Sequence, residues 1–393
     1  MRTFYKAFYA FIRFLIKPYF FLKGFTHSNY RPESKTYICL TNHTTNWDFF
    51  LAGLVLKRHM YFVASDHIFR NPVTGSIIMA LANPIPRKKG GSADETSNEI
   101  KKRLSEGFNV CMMAEGNRTF NGRTGFISPK TAKIVKESGA GLVNVVVRGG
   151  YFINPRWGTK KRKGPYSAEA VNEYTPERLA EMSEEEIYRC ICDDLMVDAY
   201  EDQAKLQADY RCKNPAECLE TALFICPECG GISTLKSSKD RLVCSSCSKE
   251  LIFTRKGYLK SADGSPNRFS TVYDWSLWQE DELKERLKAY SGKPDELIFT
   301  DSGLRLCSLN VKNSRTVLAT GSLSLYCDRL VFSDGDNSLV FPLDEIDKIS
   351  LALRGKFFFT THGNYYEINS GHEYCALKYL ISARLLKGKE YRQ

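Results

Sequence analysis

The chain has 393 residues, of which 43% are hydrophobic. Single domains usually run about 100–200 residues, so we expect two or three cores and exclude one fold throughout. Lysine and arginine number 56 against 45 aspartate and glutamate, giving a net charge of +11. This excess favours anionic partners such as phospholipid surfaces, nucleic acid or phosphate esters. Composition alone does not distinguish among these partners.

The cysteine pattern and the hydropathy of the chain bear on its compartment. Four of the thirteen cysteines form two CxxC pairs, and the remaining nine are scattered. An odd, scattered set fits a reducing cytoplasm better than a disulfide framework. No segment reaches the roughly 18 uncharged apolar residues that span a bilayer, and the N-terminus lacks a secretory cleavage site. We therefore expect a cytoplasmic protein, peripheral on the inner face of the cell membrane.

Residues 1–30 contain five basic residues, no acidic residue and many aromatic ones. Four of these cations fall within roughly 60° of one another on a helical projection, namely Arg2, Lys6, Arg13 and Lys17. Pro18 is predicted to end or kink this helix. The segment is thus typical of an interfacial helix on an anionic phospholipid surface; a helix packed on its own domain with a solvated basic edge is the alternative.

Over residues 31–210 strand-like apolar runs alternate with helix-like ones, which predicts an α/β domain. Helices are predicted over about residues 98–105 and 131–136. Polar residues cluster just past the strands, where open α/β sheets place their sites.

The first cluster is Asn42-His43-Thr44-Thr45-Asn46-Trp47-Asp48, in which a strand delivers a histidine into a turn and Asp48 begins a helix. Asp48 can accept from one ring nitrogen of His43 and fix its tautomer. The other nitrogen is then free to take a hydroxyl proton as general base. The alternative is a structural loop histidine.

The second cluster, residues 85–91, places Arg87 on a basic, Gly-rich turn that is suited to holding phosphate. The alternative is that this turn is a solvated surface loop. The third contains Glu115, Gly116 and Arg118 directly after a strand. The glycine lets the backbone approach a ligand, and the arginine can bind phosphate bidentately. Arg118 could instead form a salt bridge with Glu115.

Taken together, the order and separation of these clusters resemble the glycerol-phosphate acyltransferase superfamily, most closely the 1-acyl-glycerol-3-phosphate (lysophosphatidic acid) acyltransferases of phospholipid synthesis. The resemblance covers about residues 1–205. It implies that His43 is the general base and Asp48 its orienting partner. It also implies an acceptor phosphate site shaped by Arg87, Glu115, Gly116 and Arg118.

Three departures from the family pattern loosen the acceptor assignment. No aromatic residue precedes Arg87, Asn117 stands where threonine is usual, and Asn144 stands where the fourth block normally carries proline. Residues 149–151 and 155–157 could border the acyl-donor or membrane side, or form a basic surface loop.

The resemblance implies direct attack of an acceptor hydroxyl on the thioester of acyl-CoA or acyl-carrier protein. Glycerol-3-phosphate or another lysophospholipid is an alternative acceptor. A non-catalytic zinc-ribbon adaptor or nucleic-acid binder is the non-enzymatic alternative. The intact clusters argue against it, and no nucleic-acid partner is expected.

A second module is predicted over residues 211–262, where two CxxC pairs enclose fourteen residues. This is zinc-ribbon spacing, with four ligands: Cys226, Cys229, Cys244 and Cys247. Four thiolates leave no open position for water, so a structural zinc ion is expected. A pair of redox dithiols is the alternative.

Residues 263–393 predict a helical connector, seven short strands and a final helix. This pattern indicates a mostly-β, barrel-like domain that faintly resembles pleckstrin-homology domains. Its role could be docking onto the catalytic domain, or binding of a lipid headgroup or protein partner.

Overall fold

The computed structural model describes residues 2–65, 72–87, 93–309 and 315–388. The chain divides into two compact units. The first comprises Met1–Arg156 and Lys161–Cys212, and the second comprises Trp157–Lys160 and Lys213–Arg392. Within the described ranges, every helix is too short or too polar to cross a bilayer.

The first unit is an α/β domain, as predicted. Its strands are β1 (Phe25–His27), β2 (Tyr37–Thr41), β3 (Met60–Ser65), β4 (Ile85–Arg87), β5 (Asn109–Met113), β6 (Gly141–Arg148) and β7 (Tyr166–Tyr174). Its helices are α1 (Arg2–Leu22), α2 (Asp48–Leu56), α3 (Pro72–Ala82), α4 (Ala93–Ser105), α5 (Lys130–Ser138), α6 (Gly150–Ile153), α7 (Pro176–Glu181), α8 (Glu184–Leu195) and α9 (Ala199–Leu206). The helices expected near residues 98–105 and 131–136 correspond to α4 and α5.

The seven strands form one sheet in the order β1-β7-β6-β2-β5-β3-β4. Strands β2 to β6 run parallel, and β7 is antiparallel to β6. Parallel sheets are buried on both faces, and all five residues of β2 are accordingly buried. Because β2 lies between β5 and β6, the loops after these three strands leave the same edge side by side.

One face of this sheet packs against α4, α5 and α8 around a single apolar core. The helices contribute core residues spaced three or four positions apart, so that they lie on one face; in α8 these are Ile187, Ile191 and Leu195. Ser183 and Glu186 form a capping box that starts α8.

Helix α1 continues through Pro18 to Leu22, so of the two expected effects, an end or a kink, the proline does not end the helix. One side of α1 packs on its own unit: the Tyr9 ring meets His59 edge-on, and Phe20 is buried. The opposite side exposes apolar residues, namely Phe4, Phe11, Phe14, Leu15 and Leu22. The helix therefore has two apolar faces, one packed on its own unit and one exposed.

Arg13 does not join the exposed basic edge expected from the helical projection. Its guanidinium donates to the carbonyls of Leu54 and Lys57, both at 3.4 Å. These carbonyls lie at the C-terminal end of α2, where cations are favourable. Arg13 thereby anchors α1 to α2, while Lys6 and Lys17 stay exposed.

The second unit begins with a four-stranded antiparallel sheet: β8 (Leu235–Ser238), β9 (Arg241–Cys244), β10 (Glu250–Phe253) and β11 (Leu259–Ser261). A 3₁₀ turn, Leu219–Thr221, precedes it, and helix α10 (Val272–Lys288) follows. The mostly-β region contains β12 (Phe299–Leu309), β13 (Arg315–Leu325), β14 (Arg329–Ser333), β15 (Ser338–Pro342), β16 (Ile346–Ala352), β17 (Lys356–Thr361) and β18 (Asn364–Ser370). Helix α11 (Ala376–Leu386) ends it. The seven strands and final helix are as predicted, and the strands pair in the order β15-β14-β13-β12-β18-β17-β16.

Helix α10 is hydrogen-bonded to the segment that leads into the first CxxC pair. Gln279 accepts from the Phe224 amide at 2.9 Å and donates to the Ala222 carbonyl at 2.8 Å. The Trp275 indole donates to the Ile225 carbonyl at 2.9 Å. Because these groups are buried, their pairing fixes the segment on α10.

Lys378 of α11 ties the mostly-β region to the cysteine-bearing sheet. Its side chain is fully buried, and its ammonium lies 2.7 Å from Asp301 on β12 and 2.5 Å from the Ser233 hydroxyl. A buried cation needs such partners, because its desolvation is costly.

We predict that Asp301→Asn lowers the stability of the second unit by about 3–5 kcal/mol, because it leaves the Lys378 charge buried and uncompensated. Differential scanning calorimetry of the full chain measures this loss. The double variant Asp301→Asn with Lys378→Met removes the stranded charge and should recover most of it. An unchanged transition in the single variant would show that the pair adds nothing.

Candidate active site

The loop after β2 is fixed at its start by Asn42. The Asn42 side chain accepts from the Val147 amide at 2.8 Å and donates to the Val147 carbonyl at 3.0 Å. This two-way pairing ties the end of β2 to the end of β6. The residue that follows, His43, therefore leaves the sheet from a fixed point.

Asp48 organises the loop that it closes. Its carboxylate is fully buried and lies 2.9 Å from His43 Nδ1. It also accepts from the backbone amides of Thr44 at 2.7 Å and Thr45 at 2.9 Å. As the first residue of α2, Asp48 is further stabilised by the positive end of that helix.

His43 is placed as a base. Accepting from Nδ1–H, Asp48 assigns the proton to that nitrogen and leaves the lone pair on Nε2. No described residue hydrogen-bonds Nε2, and 19% of the side chain is exposed. Burial lowers the pKa of His43, Asp48 opposes this shift, and the charges of Arg118 and Arg156 add to it. The imidazole is consequently neutral at neutral pH and able to accept a proton.

Glu115 holds the His43 loop and the loop after β5 together. One carboxylate oxygen accepts from the His43 amide at 2.6 Å, and the other accepts from the Gly125 amide at 2.7 Å. Burial raises the pKa of Glu115 to about 8, although both amide donors act in the opposite direction. Both oxygens are thus used by backbone groups, and the geometry gives Glu115 a bridging role.

Arg118 also holds the His43 loop. Its Nε donates to the Thr44 carbonyl at 3.1 Å, its Nη1 donates to Asn46 Oδ1 at 2.9 Å, and its Nη2 donates to the Asn154 carbonyl. All three hydrogen bonds go to neutral acceptors. The salt bridge with Glu115 that the sequence left open is not among its bonds in the described ranges.

Arg87 and Gly116 come together, as expected if the second and third clusters share one site. Arg87 ends β4, and its Nη1 lies only 3.0 Å from where a side-chain carbon on Gly116 would stand. Gly116 has φ +67°, which favours glycine. Residues 88–91 of the second cluster lie outside the described residues.

Asn144, which stands where the family pattern has proline, contacts a helix of the same unit. It lies within β6, and its amide donates to Asp194 of α8 at 2.7 Å. The Tyr174 hydroxyl donates to the same carboxylate oxygen at 2.9 Å. The Asn144 side chain therefore joins α8 to the sheet.

Two further contributors to the site come from residues 149–151 and 155–157, which the sequence placed either at the acyl-donor or membrane side or in a basic surface loop. Gly150 packs so closely that a side-chain carbon there would lie 2.2 Å from Thr44 Oγ1. Arg156 donates from Nη1 to the Arg118 carbonyl at 2.8 Å and lies over the Phe120 ring at 4.1 Å. The signal for both was the Gly-Gly pair and the Pro-Arg-Trp run after β6, which the pattern alone could not assign to the site.

The four cysteines of the CxxC pairs meet at one point in the second unit, with all their sulfur atoms within 4.8 Å of one another. Cys226 lies 3.7 Å from Cys247, and Cys229 lies 3.7 Å from Cys244, sulfur to sulfur. A tetrahedral ion with metal–sulfur bonds of about 2.3 Å requires sulfur atoms about 3.8 Å apart. The four thiols can therefore hold a metal ion.

Comparisons with known proteins bear on the first unit. Residues 24–151 match the Acyltransferase family, and this range contains His43, Asp48, Glu115 and Arg118. A solved structure, the 1-acyl-sn-glycerophosphate (LPA) acyltransferase PlsC from Thermotoga maritima, is 17% identical over 51% of this chain and 78% of its own, with a TM-score of 0.41. At that distance the likeness carries no argument. No curated protein matches the chain.

Proposed function

Since residues 24–151 form an acyltransferase domain, we propose that this enzyme is an O-acyltransferase acting on 1-acyl-glycerol-3-phosphate in phospholipid synthesis. The acyl donor is a thioester, either acyl-CoA or acyl-carrier protein. The observation that carries the proposal is the 2.9 Å pairing of His43 Nδ1 with buried Asp48, which leaves Nε2 as a base.

The proposed reaction is a direct transfer. His43 Nε2 takes the proton of the acceptor hydroxyl as its oxygen attacks the thioester carbonyl carbon. The tetrahedral intermediate then collapses, the carbon–sulfur bond breaks, and the leaving thiolate takes the proton back from His43. Asp48 stabilises the imidazolium that forms between these steps. No covalent acyl-enzyme is required.

A phosphorylated acceptor is supported by the cations beside His43. Arg87 and Arg156 contact the turn 116–120, to which Arg118 belongs, while both carboxyl oxygens of Glu115 accept from backbone amides. Glycerol-3-phosphate or another lysophospholipid is the alternative acceptor with the same chemistry. A matrix of acyl-CoA and acyl-carrier protein against lysophosphatidic acid, glycerol-3-phosphate and lysophosphatidylcholine, read by product mass spectrometry, tests the choice.

We predict that His43→Ala lowers kcat by about 10²–10⁴-fold with little change in acceptor binding. Asp48→Asn should lower kcat comparably, because an amide no longer selects the Nδ1–H tautomer.

We also predict that the kcat/KM of the wild type stays constant from neutral pH down past 6.5, the ordinary pKa of histidine, and falls only when the lowered pKa of His43 is reached.

The control for these variants is His27→Ala, since His27 lies on β1 and contacts its own neighbour Ser28. It should retain wild-type turnover. Wild-type turnover in His43→Ala would contradict the proposed base. Salt-dependent nucleic-acid binding without acyl transfer would favour the non-catalytic alternative.

We further propose that the enzyme works on an anionic phospholipid surface, at the cytoplasmic face of the cell membrane. The exposed side of α1 supports this: the Phe14 side chain is 76% exposed and that of Leu22 is 72% exposed. Helix α3 adds Ile77 and Met79, which are also exposed. Burying each large apolar side chain is worth about 1.5–3 kcal/mol, whereas a lysine near the surface adds about 1 kcal/mol.

We predict that the double variant Phe11→Ser with Phe14→Ser loses most binding to phosphatidylcholine–phosphatidylglycerol vesicles, measured by co-sedimentation. The matched control is Leu206→Ser, because Leu206 is also an exposed apolar residue but lies at the end of a different helix, α9. Wild-type sedimentation of the double variant would contradict the membrane proposal.

The metal that we propose for the four-cysteine cluster is zinc, because it favours tetrahedral thiolate sites. With four protein ligands the ion has no position for water, so its role is structural. Since Trp275 and Gln279 hold the segment before Cys226, loss of the ion would also loosen the contact with α10.

We predict that Cys226→Ser abolishes stoichiometric zinc, measured by plasma mass spectrometry, and lowers the melting temperature of the second unit. Metal binding and folding are coupled in such modules. Cys327→Ser, outside the cluster, is the control and should keep its zinc. Full metal content in the Cys226 variant would exclude the proposed ligand set.

A further inference from the structure

Residues 154–161 form a short loop, which we call the strap, and both compact units contribute to it. The Arg162 amide donates to the Ile153 carbonyl at 2.8 Å and closes the base of this loop. The tip, Trp157–Lys160, belongs to the second unit, whereas the residues on either side of the tip belong to the first. Two peptide bonds of the strap therefore join the unit that carries His43 to the unit that carries the four cysteines.

The tip of the strap is anchored within the second unit. The Trp157 side chain is fully buried, and its ring meets the Phe253 ring edge-on, with the ring centroids 5.4 Å apart. Phe253 ends β10, which pairs with β9, the strand that ends at Cys244. Two positions further along the strap, the Thr159 hydroxyl donates to the Glu217 carboxylate at 2.5 Å. Because a buried tryptophan removes about 150–250 Å² from water, this contact fixes the tip firmly.

Both ends of the strap contact the loops around the base. At one end, the Asn154 carbonyl accepts from the Arg118 guanidinium, and Arg156 Nη1 donates to the Arg118 carbonyl at 2.8 Å. At the other end, the Lys161 ammonium lies 4.3 Å from the centre of the Trp47 ring. Trp47 belongs to the loop after β2, which carries the base. The strap therefore contacts both loops that make up the candidate site.

We propose that Trp157 is a positioning residue for acyl transfer. Buried in the second unit, it holds the strap, and the strap holds the turn of Arg118 and the loop of Trp47. The inference rests on the proposed function, because its kinetic readout is acyl transfer. It assigns to the second unit a role in catalysis that is exerted through the chain.

The strap is short enough to transmit a displacement of its tip. Its four tip residues span at most about 14 Å when fully extended, and two of them, Trp157 and Thr159, are held by side-chain contacts. A shift of Trp157 passes directly to Arg156, because consecutive Cα atoms are fixed about 3.8 Å apart. Misplacing a catalytic group by about 1 Å can cost on the order of 10²-fold in rate, so small shifts of the strap are sufficient.

The kinetic experiment compares Trp157→Ala with Phe253→Ala in the full chain. Each should lower kcat about 10–100-fold, with a smaller change in either Michaelis constant, because the base loses its alignment with the bound acceptor. The double variant should be no slower than the single variants, since all three lack the same contact. Trp157→Phe keeps an aromatic ring against Phe253 and should recover most of the lost kcat.

Phe332→Ala is the matched control. Phe332 on β14 is as buried as Phe253, at 1% exposure, but it lies in the mostly-β region of the second unit. This variant should lower the melting temperature of the second unit and keep the wild-type kcat below that temperature.

If Trp157→Ala does not fold, a second variant tests the same inference. Two glycines inserted between Arg156 and Trp157 leave the buried tip in place and slacken only the strap. This insertion should lower kcat as Trp157→Ala does, while the melting temperature of the second unit stays at the wild-type value.

A second measurement needs no turnover. Hydrogen–deuterium exchange, read by mass spectrometry, reports the protection of backbone amides such as those of Thr44 and Thr45, which Asp48 holds. Exchange over residues 43–48 and 116–120 should be faster in Trp157→Ala and in the glycine insertion than in the wild type. In Phe332→Ala the exchange of both segments should match the wild type.

The outcomes separate this inference from the proposed function. If the wild type transfers no acyl group to any acceptor, the proposed function fails, and the exchange measurement still decides the role of Trp157. Wild-type kcat in the glycine insertion would overturn the inference, and so would wild-type exchange over residues 43–48 and 116–120. An equal loss of kcat in folded Phe332→Ala would also overturn it, because the effect would then come from general destabilisation of the second unit.

Discussion

The fully buried Asp48 carboxylate accepts hydrogen bonds from the His43 ring and from the backbone amides of Thr44 and Thr45. Burying a carboxylate without hydrogen-bond donors costs free energy, so loss of any of these donors would destabilise the fold. The loop conformation and the orientation of the imidazole therefore have one common cause. A side chain at the start of a helix both ends the loop and selects the tautomer of the base.

A second buried carboxylate, Glu115, joins this loop to its neighbour by accepting from the His43 and Gly125 amides. The two acids act at different levels: Asp48 contacts the reactive ring, whereas Glu115 contacts the backbone that carries the ring. Arg118 completes the arrangement from the opposite side through the Thr44 carbonyl. The charged side chains around the base, Asp48, Glu115 and Arg118, thus hold the base in position.

The sequence predicted the α/β class, the seven-stranded region with its final helix, and the convergence of the cysteines. These features follow from periodicity and spacing, which are local properties. The pairing of His43 with Asp48 was also predictable, because only four residues of one turn separate them. The hydrogen-bond partners of Glu115 and Arg118 were not predictable, because they belong to loops that the sheet brings together.

Other differences have the same origin. Arg13 was grouped with the exposed cations by its angle on the helix, yet carbonyls of α2 lie within its reach. Pro18 was expected to end or kink α1, and the helix does not end there. Asn144 was read through the family pattern, whereas its partner on α8 lies 50 residues downstream. Tertiary contacts decided each case against a local rule.

The anchoring of α1 to α2 has a geometric consequence. Helix α2 begins at Asp48 and has nine residues, which corresponds to a length of about 13 Å. Arg13 holds its other end. The point where Arg13 anchors α1 therefore lies about one short helix from the His43–Asp48 pair, and a bilayer touching the exposed side of α1 would stand farther off by the width of that helix. A single-chain lipid would have to bridge this separation to present its glycerol hydroxyl for acylation while its hydrocarbon tail remained among its neighbours.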